Sequence, residues 1–244
     1  MNADFILQEL LSVANPEKAL FLSGFFKTDK GQYAEGDVML GILVPMTRDI
    51  VKRCPKLPFS EISILLDSPY HEARLAGLLL LCKQYKKADT QEQKEIYDFY
   101  LQNAQKANNW DLVDVTCKDV VGLYLLDKTD RSDLYRLAES NNLWEQRIAI
   151  VSTWTFIKHD QFEDTLALAV KLIHHPHDLM HKAIGWMLRE VGKKDRDTLV
   201  AFLEFYYQKL PRTSLRYAIE HFSPEERAKY MAKPLFSYAL QKKN

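Results

Sequence analysis

The sequence predicts an all-α solenoid of paired helices, and three observations predict it. Apolar residues recur at i, i+3, i+4 and i+7 through most of the 244 residues, which is the helical period. Only 8 glycines and 9 prolines leave too few turn residues for an all-β chain. A basic residue followed by a small and apolar run recurs in HEARLAGLLLL (71–81), LWEQRIAIVSTW (143–154), DLMHKAIGWML (178–188) and RTSLRYAIEHF (212–222). A period near 35 residues, with two helices per unit, marks stacked helical repeats.

The pattern places helices near 3–13, 16–27, 45–54, 59–67, 71–86, 90–105, 109–126, 131–139, 143–158, 162–174, 178–192, 195–209, 213–222 and 224–240. SPEE at 223–226 supplies an N-cap serine, a first-position proline and a capping-box glutamate. Asp178, Asp195 and Thr213 are further candidate caps. The longest stretch without helical pattern is 28–45, which holds three of the eight glycines. No charged block or linker divides the chain, so residues 1–244 are expected to form one repeat domain.

The repeated cations are Arg74, Arg147, Lys182 and Arg216, separated by 73, 35 and 34 residues. The first interval is about two periods, and the missing position falls near 110, where NNWDLVD (108–114) puts Asp111. Stacked repeats align equivalent positions, so the four cations are expected to project in a row about 10 Å apart, the packing distance of helices. Such a row matches the phosphates of duplex DNA. The alternative is that each cation caps or pairs inside its own repeat, with Glu72 and Glu145 two residues ahead of their arginines.

Composition narrows the function. The chain has 47% apolar and 27% charged residues, a formal net charge of zero, and so is not an indiscriminate basic nucleic-acid binder. Charge is uneven, with 8 Lys/Arg against 4 Asp/Glu in 201–244 and 4 against 7 in 1–50, which leaves room for one basic face. Cys54, Cys82 and Cys117 form neither a disulfide framework nor a C-x-x-C zinc site. The acidic start MNADFILQELLSV is unlike a signal peptide, and no apolar run approaches a membrane span. A cytoplasmic setting is expected.

In NNWDLVD, Trp110 and Asp114 stand four apart and share a helix face, with Asp111 about 100° round the helix. A carboxylate in a row of phosphate-binding cations needs a reason, and positive charge developing on the ligand is one. The ordinary reading is that Asn108 or Asn109 caps the helix, Asp111 favours its first turn and Trp110 packs. Elsewhere, HHPHDLMH (174–181) places His177 at or before a helix start, so His177 and His181 do not share a face and no metal site is expected. Lys27 and Lys30 in the glycine loop are candidate DNA-backbone contacts. Phe25, Phe26 and Tyr33 are read first as core packing, with cleft lining as the alternative, and Cys117 as a small buried residue.

Six segments carry a resemblance that spans nearly the whole chain: FFKTDKGQYAEGDVMLGILVP (25–45), SPYHEARLAGLLLL (68–81), NNWDLVD, LWEQRIAIVSTW, HKAIGWMLREVGK (181–193) and PRTSLRYAIEHF (211–222). The chain resembles the DNA alkylation repair family of HEAT-like-repeat glycosylases, the AlkD-like proteins. The resemblance implies a right-handed α-solenoid with a concave DNA-binding face, and excision of cationic N7- and N3-alkylpurines from duplex DNA in base excision repair. The family's W-D-x-x-D falls on Trp110 and Asp114, its W-x-R-R arginine on Arg147, and a second tryptophan on Trp186. The first arginine of that W-x-R-R pattern is Gln146 in this chain.

The expectation is therefore a monofunctional alkylpurine DNA glycosylase. Its catalytic residues are Asp114, Trp110 and Arg147, with Trp186, Arg74, Lys182, Arg216 and Lys27 on the DNA. No metal or organic cofactor is expected, because the substrate carries its own positive charge. The partner is duplex DNA with alkylated purines, bound by a monomer in the cytoplasm near the nucleoid. The competing reading is a non-catalytic helical scaffold for DNA structures or proteins, since fold alone proves no chemistry.

Overall fold

In the computed structural model, which describes residues 1–232, helices follow the apolar pattern along the chain. They are α1 (Ala3–Ser12), α2 (Pro16–Phe26), α3 (Val44–Arg53), α4 (Phe59–Leu66), α5 (His71–Tyr85), α6 (Thr90–Gln102), α7 (Trp110–Asp114), α8 (Leu123–Leu125), α9 (Ser132–Ala138), α10 (Leu143–Ser152), α11 (Trp154–Lys158), α12 (Glu163–Lys171), α13 (Asp178–Lys194), α14 (Arg196–Tyr206), α15 (Arg212–Ala218) and α16 (Pro224–Met231). The described residues contain no strand, only an isolated parallel bridge between Val38 and Tyr70. Starts are set by side-chain caps: Asn15, Asp89, Asn142 and Asp195 each accept a backbone N–H of the following turn. Ser223 and Glu226 form the expected capping box. His177, not Asp178, caps α13, and α15 starts behind Pro211, so Thr213 caps nothing. Positions 233–240 of the last expected helix lie outside the described residues.

The helices stack as a solenoid. One layer runs α1, α3, α5, α7, α10, α13, α15, each touching the next; the other, with α4, α6, α9, α12, α14 and α16, packs on its back. α5 is buried on nearly all sides, as a helix in the middle of two layers must be. Leu75, Leu78, Leu80, Ile148, Ile150, Ile184 and Leu188 join these helices in one continuous apolar core. Each such side chain contributes about 1.5–3 kcal/mol on burial.

Two expected helices are broken. The stretch 109–126 divides into α7, a turn, a π-helical turn at Lys118–Gly122, and α8. Hydroxyl groups explain the break. Thr116 Oγ1 donates to the Leu112 carbonyl at 2.6 Å, and Thr155 Oγ1 donates to the Lys118 carbonyl at 2.8 Å. Side chains inserted into the backbone ladder unwind it locally. Gly122 lets the π turn approach α11 so closely that a Cβ there would stand 2.5 Å from Thr155 Oγ1 and 2.6 Å from the Ser152 carbonyl. The stretch 143–158 breaks at Thr153, whose hydroxyl donates to the Ile150 carbonyl at 2.6 Å.

Between α2 and α3 runs a strap, residues 27–43, anchored by two buried carboxylates of unequal reach. Glu72 accepts the backbone N–H groups of Leu40, Gly41 and Ile42 at 2.9–3.1 Å. Gly41 has φ +80°, and a Cβ there would meet the Asn15 carbonyl at 2.2 Å, so the close approach of strap to α2 requires glycine. Asp37 accepts from Asn108 at 2.8 Å and pairs with Arg74 at 2.6 Å and His71 at 3.2 Å. The strap is thus tied to α5 and to the residues just ahead of α7.

Gly122→Ala is expected to destabilise by about 1–3 kcal/mol through overpacking. Gly24→Ala, where a Cβ meets nothing within 4 Å, is expected to be neutral or to stabilise by up to about 1 kcal/mol. Urea denaturation of the two variants measures the contrast.

Candidate functional site

A cleft of about 610 Å³ opens where α7, α10, α13 and α15 stack, with the strap and the end of α2 forming its remaining wall. Trp110, Asp114, Arg147, Lys182, Trp186 and Lys27 all line it. Six of the eight residues singled out from the sequence therefore meet in one place, although Lys27 and Trp186 are 159 positions apart in the chain.

Asn109 starts α7 by accepting the Trp110 N–H at 2.8 Å, which sets Trp110 and Asp114 one turn apart. Asn108 has a different task, bridging Asp37 and Arg74. Trp110 is half-buried. Its indole leans on Phe26 with centroids at 5.2 Å and meets the edge of Phe25 at 5.9 Å. Asp111 turns inward, as the helical geometry requires, and pairs with His71 Nε2 at 2.9 Å.

Asp114 keeps 15% of its side chain accessible, at the cleft wall. Arg147, reaching across one repeat from α10, grips it with two parallel bonds: Nε to Oδ1 and Nη2 to Oδ2, both 2.8 Å. The third guanidinium nitrogen donates to the Leu179 carbonyl on α13 at 2.6 Å. A planar guanidinium is suited to this fork geometry. Burial pushes the Asp114 carboxyl above the usual carboxylate range, against the opposing pull of Arg147. Such a group is poised, with each oxygen still carrying a free lone pair.

The expected row of four projecting cations is not found. Arg74 is buried, held by the Ser68 carbonyl, Asn108 and Asp37 beneath the strap, and is outside the cleft. Arg147 is turned onto Asp114 and, with 5% of its side chain accessible, does not project. The equivalent position lies within the first two turns of each of these helices, and it is covered on α5 and α10 but open on α13 and α15. Lys182 remains accessible and pairs with Asp178 at 2.8 Å. Arg216 is exposed and lines an adjoining concavity that shares Lys182, Arg189 and Tyr217 with the cleft.

A second set of cations escaped the sequence reading. Lys86, Lys158 and Lys193 lie 12, 11 and 11 residues beyond Arg74, Arg147 and Lys182, about three helical turns further along the chain. All three are exposed. They connect through neighbours. Arg48, Lys52 and Lys86 border one concavity with Asp119; Lys118 and Lys158 both sit over the Trp154 ring; Lys158 and Lys193 both reach Glu190. The 35-residue repeat carried this signal, three turns downstream of where it was sought.

Other residues fall as follows. Phe25 is exposed in the cleft, Tyr33 lines the cleft while packing against the core, and Phe26 is buried. Tyr33 meets Trp144 and His177 edge-on at 5.8 and 6.1 Å. His177 accepts the Leu179 N–H as the α13 cap, and His175 pairs with Gln146 at 2.8 Å, the position where the family pattern has arginine. Among the described residues no group of three His, Cys, Asp or Glu side chains is placed to hold a metal, and no helix is long and apolar enough to cross a membrane. Cys117 is fully buried, and burial pushes its thiol up to about 12, which leaves it inert.

No curated protein shows significant sequence similarity to the chain. A solved structure described as a predicted DNA alkylation repair enzyme from Enterococcus faecalis superposes with a TM-score of 0.67 at 18% identity, covering 86% of this chain and 97% of that one. At that identity the likeness shows the fold. A sequence model of the family described as DNA alkylation repair enzyme matches residues 6–222, the span that holds every residue of the cleft. The chain belongs to the DNA alkylation repair enzyme family.

Proposed function

We propose that the protein is a monofunctional DNA glycosylase that hydrolyses the N-glycosidic bond of cationic alkylpurines, N7-alkylguanine and N3-alkyladenine, in duplex DNA. The observation that carries the reading is Asp114: a carboxylate locked by Arg147 at the wall of a cleft that it shares with two indoles, Trp110 and Trp186.

The chemistry fits this constellation. An alkylated purine carries a positive charge, so the C1′–N bond breaks with its electron pair moving onto the base, which leaves neutral. The charge passes to the sugar as an oxocarbenium-like centre, as in other glycosyl transfers. A fixed carboxylate stabilises that centre, accepts a hydrogen bond from the attacking water and takes its proton. Indole faces against a cationic sugar add on the order of 1–2 kcal/mol each. Departure of a neutral base needs neither metal nor organic cofactor. Lys118, the lysine nearest to Asp114 along the helix, is engaged by the Asp114 carbonyl at 2.9 Å and by the Trp154 ring, which disfavours a Schiff-base lyase step.

For the DNA itself, Lys27, Lys182 and Arg216 at the cleft and its adjoining concavity, with the band of Lys52, Lys86, Lys118, Lys158 and Lys193, supply a cationic track. Arg74 serves behind the surface, holding the strap, rather than on a phosphate. Neutralising several phosphates gives salt-sensitive binding that a net-neutral protein confines to one face.

Incubation with methylated DNA, followed by chromatography of the freed bases, is the deciding experiment. Wild-type protein is expected to release 7-methylguanine. Asp114→Asn is expected to lower the rate by at least about 100-fold, the scale of a lost electrostatic stabiliser, with equal or tighter DNA binding. No release by the wild type would favour a non-catalytic scaffold. Because the reaction needs the carboxylate, the rate should fall as pH drops through an Asp114 pKa above the ordinary carboxylate range, and Arg147→Leu, which removes a lowering influence, should move that acidic limb to still higher pH in single-turnover profiles. The log–log slope of DNA affinity against salt should become shallower by about one unit for each of Lys86→Ala and Lys158→Ala.

A further inference from the structure

Buried beside the cleft, and unused by the chemistry above, is an imidazole between two carboxylates. His71, the first residue of α5, keeps 3% of its side chain accessible. Its Nδ1 faces Asp37 of the strap at 3.2 Å and its Nε2 faces Asp111 of α7 at 2.9 Å. The ring lies under Phe26, centroids 5.1 Å apart and planes 29° from parallel, and Phe26 in turn lies against Trp110. His71 therefore reaches the catalytic indole by two routes. One runs through the Phe26 ring, the other through Asp111, which is next to Trp110 in the chain and accepts the Leu112 N–H within the first turn of α7 at 2.9 Å.

We propose that His71 is a positioning residue, whose clasp on Asp37 and Asp111 sets the attitude of the first turn of α7 and with it the Trp110 indole and the Asp114 carboxylate. The proposal rests on the glycosylase reading for its kinetic consequence and on geometry alone for its structural one. A helix of five residues, α7, has little rigidity of its own. It is broken immediately afterwards by the turn at 115–117. Contacts outside it fix its direction: α10 grips its last residue through Arg147 and Asp114, and the strap reaches its first turn from Asp37 through His71 to Asp111.

Two donors are needed to satisfy both carboxylates, so the clasp is complete only while the ring is protonated. Burial opposes the cation, but the hydrogen bonds that the ring donates to Asp111 and Asp37 and the charge of Asp111 outweigh it, together with the repulsion of Arg74, and hold His71 up to about 9. The groups that face the ring are Asp37 from the strap, Asp111 from α7, Arg74 from α5 and Phe26 from α2. A folded-state pKa above the ordinary value of about 6.5 means that the clasp is intact below that value and is lost as pH rises through about 9. One carboxylate is then released, and the first turn of α7 is freed.

Protein labelled with 5-fluorotryptophan tests this, with the Trp110 resonance identified by its absence in Trp110→Phe. In the wild type that ¹⁹F resonance should shift with a midpoint near pH 9 while the Trp154 resonance, remote from the clasp, does not follow it. A Trp110 resonance that stays flat between pH 7 and pH 10 overturns the proposal whatever the protein's activity. His71→Phe, which keeps the ring stack and removes both hydrogen bonds, should displace the Trp110 resonance at pH 7 and slow single-turnover release of 7-methylguanine about tenfold or more, with DNA affinity within about twofold of wild type, the order of effect of a lost buried charge-assisted bond. His71→Gln, which can still donate to Asp111, should recover part of that rate. His71→Phe with wild-type rate and resonance overturns the proposal. Absence of base release from the wild type itself would instead count against the glycosylase reading, and the pH-dependent resonance would still decide the clasp.

Discussion

The bidentate hydrogen-bonded pair between Arg147 and Asp114 is the contact on which the cleft wall depends. It joins α10 to α7 across 33 residues, one structural repeat, and the same guanidinium reaches forward to the Leu179 carbonyl on α13. Three consecutive units of the solenoid are therefore pinned at one side chain. A pair this deep is not chiefly a source of stability, since the cost of taking two charges from water offsets most of their attraction. Its effect is directional. The carboxylate has one orientation and its charge is partly desolvated, so under the proposed reaction no reorganisation would be needed as positive charge develops in the cleft.

The central layer of helices presents two surfaces with opposite electrostatic character. Near their N-terminal ends His71 and Arg74 lie against the strap and Arg147 against α7 and α13, matched with Asp37, Asp111 and Asp114. Further along the chain Lys86, just past α5, Lys158, at the end of α11, and Lys193, near the end of α13, are exposed to solvent. Partnered charges build the cleft and solvated charges surround it. This arrangement is how a chain of zero formal net charge can present a cationic track without being cationic throughout.

The strap makes that division possible. Without residues 27–43 the ends of α5 and α7 would lie open to water, Glu72 would have no backbone N–H groups to accept, and His71 and Arg74 would lose Asp37. With it, Phe25, Tyr33 and Lys27 become the wall of the cleft facing α13 and α15. Its three glycines at positive φ shape it, and at Gly41 the requirement is absolute because the Asn15 carbonyl occupies the space of a side chain. Irregular backbone can carry such a wall because buried carboxylates satisfy its N–H groups.

Local pattern was enough to determine most of the helices, the caps at Asp195 and Ser223 and the pairing of Trp110 with Asp114 on one face, because each depends on neighbours a few residues away, and the repeat of about 35 residues was legible in recurring segments. The resemblance in NNWDLVD and LWEQRIAIVSTW pointed to Trp110, Asp114 and Arg147, which the fold brings to one cleft with Trp186 and Lys182. Tertiary structure alone decided the rest. The breaks at 115–117 and Thr153 come from hydroxyl groups that meet carbonyls in the ladder, and a helical apolar pattern runs through them unchanged. Whether a repeated cation projects or is buried depends on what covers that end of its helix, so Arg74 and Lys182 look equivalent in sequence and are not. Asp37, His71 and Asp111 come from three separate segments and share no spacing. Their common purpose exists only once the strap folds back over α5, since a hydrogen bond between distant residues leaves no periodic trace in the chain.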